Sequence, residues 1–378
     1  MMDLSKAFDC INHELLIAKL HAYGFGKDAL RLIYSYIKGR HQRVKMNTVL
    51  SSWKELLTGV AQGSVLGPLL FNLFINDLVF FIDKSELYNY ADDNTLSVAD
   101  TNIEIIIRNL ESDANILSTW FDNNGMLLNA KKCKFLVIES AKSSRNKTAA
   151  IKVQNKIISE ENKGKMLGIT FDNNITMHEH IKNICKKAGN KLNAIARISH
   201  FLNEHKRKVL MKSFVMSQFN YCPIIWMYCQ RRSNNMINRI HERSLRIAYN
   251  DYISDFNSLL QKDNSVTVHQ RNIQALAIEI HKTIHNQNPS FMENIFCIRQ
   301  HKYSTSTQNL VHPKPRTVTY GTETFGYKGN QIWNKIPTKI QNDSDINVLK
   351  EYISENNVTC TCNLCKLYIP NLGYVISK

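Results

Sequence analysis

The sequence predicts an α+β fold: an antiparallel sheet with helices on one face, followed by a helical, basic region and an irregular C-terminal part. Three observations carry that prediction. Apolar residues recur at helical spacing in 10–38 and 103–121; short runs of strand formers flank turn residues near position 92; and from 178 to about 284 the pattern is helical and densely basic.

Along the chain, Ile11, Leu15, Leu16 and Leu20, then Leu30, Ile33, Tyr34 and Ile37, predict two helices. Gly24-Phe25-Gly26-Lys27 between them lacks the full spacing and the Ser/Thr of a phosphate loop, so it reads as a helix-helix turn. Strand-like stretches follow at 42–46 and 53–58. Residues 65–82 are strongly apolar, but Gly67-Pro68, Asn72, Asn76 and Asp77 are costly in hydrocarbon, so a buried helix with Pro68 in its first turn is expected in place of a membrane span. Leu87-Tyr88-Asn89-Tyr90 and Thr95-Leu96-Ser97-Val98 read as strands around an Asp92-Asp93-Asn94 turn. Ile106, Leu110, Leu117 and Phe121 stripe a helix over 103–121. Strand character returns at Leu127-Leu128 and 135–138, before a solvated loop at 141–150. In 178–284, Phe201, Phe214, Phe219, Tyr221 and Trp226 are assigned to the core in preference to base stacking. Beyond Asn286 the chain turns irregular, with Pro313 and Pro315. The resulting divisions are 1–140, 141–175, 176–286 and 287–378.

At 378 residues there is chain enough for two or three cores. Nine scattered cysteines and no basic-then-apolar leader predict free thiols in a reducing compartment, hence an intracellular protein of nucleus or cytoplasm, neither secreted nor membrane-bound. Charge is uneven. Of 48 Lys+Arg and 32 Asp+Glu, residues 1–140 hold 14 and 16, leaving 34 against 16 for the remainder. The C-terminal part is the one suited to a polyanion.

Chemistry concentrates at Tyr90-Ala91-Asp92-Asp93. Adjacent carboxylates repel, so a fold that holds them on a tight turn calls for a nearby cation, magnesium first, with Asp3 as a third acid. Alone, an Asp-Asp pair is an ordinary solvated turn. It is not alone here. Asp3-Leu4-Ser5-Lys6-Ala7-Phe8-Asp9, Gly59-Val60-Ala61-Gln62-Gly63-Ser64-Val65-Leu66-Gly67-Pro68, Tyr90-Ala91-Asp92-Asp93, Asn129-Ala130-Lys131-Lys132-Cys133 and Met166-Leu167-Gly168-Ile169 occur in the order and at the spacing of a polymerase palm. In these motifs the chain resembles the reverse transcriptases of non-LTR retrotransposons of the jockey-like, long interspersed element type.

The resemblance implies a palm over 1–140, a palm end with primer-grip hairpin over 141–175, a helical basic thumb and its extension over 176–286, and a C-terminal region after that. It implies an RNA-directed DNA polymerase that adds dNTPs to a DNA primer on an RNA template, with the thumb holding the RNA–DNA duplex. Asp3 and Asp92 are the implied ligands of two Mg2+ ions, which Mn2+ could replace, and Asp93 completes the site. Phe8 falls where a steric gate excludes the ribose 2′-hydroxyl, though a core role suits it too. Gln62 and Gly63 fall at the nucleotide-contact turn. Lys132 is placed as general acid for the leaving pyrophosphate, with Lys131 an equal candidate and a solvated lysine the plain alternative. Leu167 and Gly168 form the primer grip.

The family pattern also puts a fingers region ahead of the first catalytic aspartate, whereas only Met1 and Met2 precede Asp3. The expectation is an N-terminally truncated member whose Asp3 strand frays and whose terminal ammonium competes with the metals. A noncatalytic nucleic-acid-binding fragment is the competing reading. Two further groups invite metals. His281 and His285 share a helix face but have no third ligand beside them, so surface or phosphate-contact histidines are the alternative. Cys360, Cys362 and Cys365 have zinc-like spacing, yet a closed site needs a fourth ligand and none is adjacent in sequence.

Overall fold

The computed structural model describes residues 1–129, 131–139, 148–296, 298, 310–311, 314–356 and 358–365. Ala130, most of the expected 141–150 loop and Pro313 lie outside them. The chain divides into two compact units, Met1–Ile175 and Thr176–Lys378.

The first unit mixes helices with short antiparallel strand pairs. Strand β1 (Leu4–Ser5) precedes helices α1 (His13–Ala22) and α2 (Lys27–Ile37), and four two-residue strands follow: β2 (His41–Gln42), β3 (Lys45–Met46), β4 (Val49–Leu50) and β5 (Lys54–Glu55). Then come α3 (Leu66–Ile75), the hairpin β6 (Glu86–Tyr90) and β7 (Asp93–Ser97), α4 (Ile103–Asn123), β8 (Leu127–Leu128), and the hairpins β9 (Ala150–Val153) with β10 (Lys156–Ser159) and β11 (Lys163–Met166) with β12 (Ile169–Asp172). Helix starts follow local chemistry. The Asn12 side chain accepts from Leu15 N–H at 3.0 Å and that of Asn102 from Glu104 N–H at 2.9 Å, each satisfying a donor that a helix leaves orphaned. Leu16 and Leu20 of α1, Phe71 and Phe74 of α3, and Leu117 and Phe121 of α4 meet in one core.

Two pairings place the N-terminal segment. Leu4 pairs with Leu128 and Ser5 with Leu127, while Met2 bridges Asn94 on β7. The segment 2–5 therefore lies between β7 and β8. The expected fraying does not occur: Met2 N–H donates to Asn94 O at 2.7 Å, Asn94 N–H returns a bond at 3.3 Å, and Met2 and Leu4 are buried. The 65–82 segment also differs from expectation. It is helical only to Ile75, continues as a tighter 3-10 turn over Asn76–Phe81, and exposes Val65, Leu69, Val79, Phe80 and Phe81. Residues 135–138 make only a single parallel bridge, Phe135 to Glu160, and no strand.

The second unit is helical: α5 (His178–Ile198), α6 (Glu204–Leu210), α7 (Pro223–Trp226), α8 (Arg231–Tyr249), α9 (Phe256–Asp263), α10 (Val268–Ile284), α11 (Phe325–Trp333), α12 (Thr338–Gln341) and α13 (Ile346–Glu355). Of the aromatics assigned to its core, Phe219 and Trp226 are buried, but Phe201 (80 % exposed), Phe214 and Tyr221 are at the surface. Phe201 ends a separate 3-10 turn over Ser199–Phe201, and the π-turn at 211–215 followed by the 3-10 turn at 216–219 breaks the 3.6-residue phase on which Phe214 and Tyr221 were placed. Along α10, Ile273, Leu276, Ala277 and Ile280 form the floor of a core covered by Ile332 and Trp333 of α11, Leu349 and Ile353 of α13, and the cysteines of 360–365. Among the described residues no helix is long and apolar enough to cross a membrane.

Candidate active site

The hairpin β6–β7 sets the carboxylates. Its register pairs Tyr90 with Asp93, so the two-residue turn is Ala91-Asp92, and Asp93 already belongs to the strand. The turn thus sits one residue earlier than its composition suggests. Ala91 takes a left-handed conformation (φ 52°), which a two-residue hairpin needs and which normally selects glycine. Behind the turn Asn94 is almost completely buried; its side-chain oxygen accepts from Asn89 Nδ2 at 2.7 Å and its Nδ2 donates to Asp92 O at 3.1 Å. This amide fixes where Asp92 and Asp93 point. It was not singled out from the sequence, where an asparagine after two aspartates reads as one more turn residue.

Asp3 reaches the same place from the neighbouring segment. Met2 and Leu4 face the core, so alternation turns Asp3 to the opposite side. Its backbone carbonyl accepts from Asn129 N–H at 2.8 Å, and Asn129 O accepts from Lys132 N–H at 2.9 Å. That turn carries the largely exposed Lys132 to 3.2 Å, Nζ to Oδ2, from Asp3, whereas Lys131, also exposed, makes no such pair among the described residues. Asp3 Oδ2 is buried and, despite the lysine, makes no aligned hydrogen bond among the described residues. Burial, and then the charges of Asp92 and Asp3, push the Asp93 carboxyl above its usual range. The three acids therefore share one electrostatic neighbourhood. The N-terminal ammonium donates to Lys134 O at 3.0 Å, and its pKa is lowered by burial.

A second group assembles from 7–13 and 58–64. Phe8 lies in a 3-10 turn, stacked on Phe71 with ring centroids 4.3 Å apart. Val60 N–H donates to Phe8 O and Gly59 N–H to Ile11 O, and a Cβ on Gly59 would lie 2.9 Å from Asp9 Cα, so only glycine permits this approach. Gln62 Nε2 donates to Asp9 Oδ1 at 2.8 Å, and Gly63 has a positive φ of 78°. Asp9, which holds Gln62, is a further residue that sequence reasoning left without a role. Leu167 (φ 46°) and Gly168 (φ 86°) form the two-residue turn between β11 and β12, and Leu167 lines an apolar cleft of about 670 Å³ with Met1, Leu96 and Phe135.

In the second unit, His281 is fully buried and its Nε2 pairs with Asp343 O at 2.8 Å, while His285 Nε2 pairs with Gln341 O at 3.1 Å. They tie the C-terminal end of α10 to the end of α12 and the segment after it, so both the surface reading and the metal reading give way to a structural one. Cys360, Cys362 and Cys365 are brought together as their spacing suggests, and the fourth potential ligand is His269, some 90 residues upstream. No local pattern could have exposed it.

Residues 1–171 match the family described as Reverse transcriptase (RNA-dependent DNA polymerase). The chain is 28% identical over 190 residues to the RNA-directed DNA polymerase from mobile element jockey of Drosophila melanogaster, covering 48% of this chain and 20% of that protein. It is 26% identical over 258 residues to the probable RNA-directed DNA polymerase from transposon BS of the same organism, covering 65% and 28%. A more distant likeness, 25% over 138 residues, is to the retrovirus-related Pol polyprotein from type-1 retrotransposable element R2 of Popillia japonica, covering 35% and 23%. The chain spans about a fifth to a little over a quarter of the length of these relatives. Residues 1–171 thus resemble the reverse transcriptase family, and the chain is similar to proteins named as RNA-directed DNA polymerases of jockey, BS and X-element.

Proposed function

We propose that this chain is the polymerase segment of a non-LTR retrotransposon reverse transcriptase, which extends a DNA primer on an RNA template with dNTPs. The observation that carries the reading is the convergence of Asp3, Asp92 and Asp93, from two distant chain segments, on one acidic site that Lys132 faces at 3.2 Å from Asp3. The donor set suits magnesium: hard carboxylate oxygens, one of them buried without an aligned partner. When bound, two such ions activate the primer hydroxyl and neutralise charge on the leaving pyrophosphate.

The residues of the chain do the rest by position. Asp3 and Asp92 would hold the ions, with Asp93 beside them, and Asn94, whose amide donates to Asp92 O at 3.1 Å, braces the turn that presents them. Lys132, beside Asp3, would act as general acid, passing an ammonium proton to the oxygen of the departing pyrophosphate and becoming the neutral amine. Phe8, fixed by its stack on Phe71, excludes a 2′-hydroxyl from the sugar site. Gln62 and Gly63 contact the incoming nucleotide, and the Leu167-Gly168 turn grips the primer. In this reading 1–140 is the palm, 141–175 ends it with the primer grip, 176–286 is a basic thumb on the RNA–DNA duplex, and 287–378 is a C-terminal region.

Primer extension on an RNA template with Mg2+ tests it, comparing the chain with its Asp92→Asn, Asp93→Asn double variant. Extension that disappears in the variant supports the reading. Duplex binding with no extension by either protein makes the chain a binding fragment.

A further inference from the structure

Away from the carboxylates, the second unit holds a group of side chains that the polymerase reading does not use. His269, in the first turn of α10, is buried, as are Cys360, Cys362 and Cys365. His269 Nε2 lies 3.2 Å from Cys362 Sγ and 3.5 Å from Cys365 Sγ, and Cys360 Sγ lies 3.6 Å from Cys365 Sγ. All four ligand atoms fall within 4.8 Å of one another. A sulfur–sulfur separation of 3.6 Å is far too long for a disulfide, whose bond is about 2.0 Å. It matches the edge of a coordination tetrahedron: zinc–sulfur bonds of about 2.3 Å and a zinc–nitrogen bond of about 2.0 Å put sulfurs about 3.8 Å apart and sulfur about 3.5 Å from nitrogen.

We propose that His269, Cys360, Cys362 and Cys365 form a closed, structural zinc site that clips the 358–365 segment onto α10. This inference is independent of the polymerase reading, since it draws on residues of the second unit alone.

The surroundings are those of a built site. His269 Nδ1 sits 3.1 Å from Met227 O, which holds the proton on Nδ1 and leaves the Nε2 lone pair toward the sulfurs. Cys365 N–H donates to Cys362 Sγ at 3.3 Å, the bond that steadies a thiolate. Tyr228 packs edge-on against the His269 ring and excludes water from that side. Lys328, itself buried and paired with Glu323 at 3.1 Å, is also 3.4 Å from Thr361 Oγ1, close to a centre that three thiolates and one zinc ion would leave with one negative charge. Four ligands from the protein leave no open position, so the centre is structural and not catalytic. Sulfur-rich tetrahedral donors with one imidazole select zinc over the hard ions of the carboxylate site.

The neighbouring contacts say what the clip secures. Gln270 Nε2 donates to Val358 O at 2.7 Å and Gln274 Nε2 to Ile353 O at 3.1 Å, so one face of α10 receives the end of α13 and the segment after it. His269 and Cys365 are 96 positions apart, and joining them closes a long loop, the kind of cross-link that most restricts the unfolded chain.

The test uses the full chain purified without chelator from zinc-supplemented cells. Elemental analysis is expected to give one zinc per chain. Replacement by Co2+ is expected to give the strong visible absorption of a tetrahedral centre together with thiolate charge-transfer bands. His269→Ala should lose the tetrahedral spectrum and most of the metal, Cys185→Ser should change neither, and His269→Cys should restore binding with stronger charge transfer. Folded wild-type protein that holds no zinc and gives no cobalt spectrum overturns the proposal. So does a His269→Ala variant with full stoichiometry and an unaltered spectrum, which would place the fourth ligand elsewhere.

Discussion

At the scale of single residues, the carboxylate site is built from charges that the fold gathers at a cost. Burial and two like charges raise the Asp93 pKa, which means ionised Asp93 is less stable here than in the unfolded chain. Asp93→Asn is therefore expected to raise the melting temperature of the metal-free protein while lowering primer extension at least about a hundredfold; thermal melts and extension assays on the same preparation check both signs. Asn94→Ala removes a buried amide that holds Asn89 and the Asp92 carbonyl, and should cost about 1 to 3 kcal/mol. Chemical denaturation measures it. The aspartates were legible in the sequence because a turn motif is local and its spacing survives. Asn94 and Asp9 were not, because what they do depends on partners met only in the folded chain.

At the scale of elements, local signals placed α1, α2, α4 and the β6–β7 hairpin, and misplaced the strand expected at 135–138. Asn12 and Asn102 announce α1 and α4 through side-chain caps, and both helices lie where their apolar spacing predicts. Phe135 to Ile138 have strand composition, yet pairing needs a partner in register and only Phe135 finds one. The β11–β12 turn carries a residue that its backbone does not favour. With both φ values positive it is the kind of turn that favours Asn-Gly, yet Leu167 occupies the first position. Leu167→Asn is expected to stabilise the first unit by about 0.5 to 1 kcal/mol. If Leu167 grips the primer, the same change lowers extension without loss of fold, a split that denaturation and activity measured together would reveal. Unchanged extension would leave Leu167 outside the grip.

At the scale of the whole molecule, charge and acid sensitivity belong to the second unit. Most of the surplus of Lys and Arg lies after residue 140, so a protein comprising 176–378 is expected to bind RNA–DNA duplex with an affinity that falls steeply with salt, by a logarithmic slope of about 0.9 per phosphate contacted. Titration at several salt concentrations gives the slope, and a flat response would refute a phosphate-based grip. Burial, reinforced by Arg271, pushes His241 down to about 4, with Asp263 acting weakly the other way. A histidine depressed in the fold binds its proton in the unfolded chain first, so the stability tied to His241 is complete above about pH 6.5 and lost as pH falls toward 4. His241→Leu should flatten the dependence of melting temperature on pH across that window. The arrangement of α10 has one more result, which concerns the order in which the chain is made. The helix leaves the ribosome well before α11, α13 and the cysteine segment that cover Ile273, Leu276, Ala277 and Ile280. During that interval the nascent second unit carries a bare apolar ridge, and its last folding step must wait until residues 358–365 have emerged.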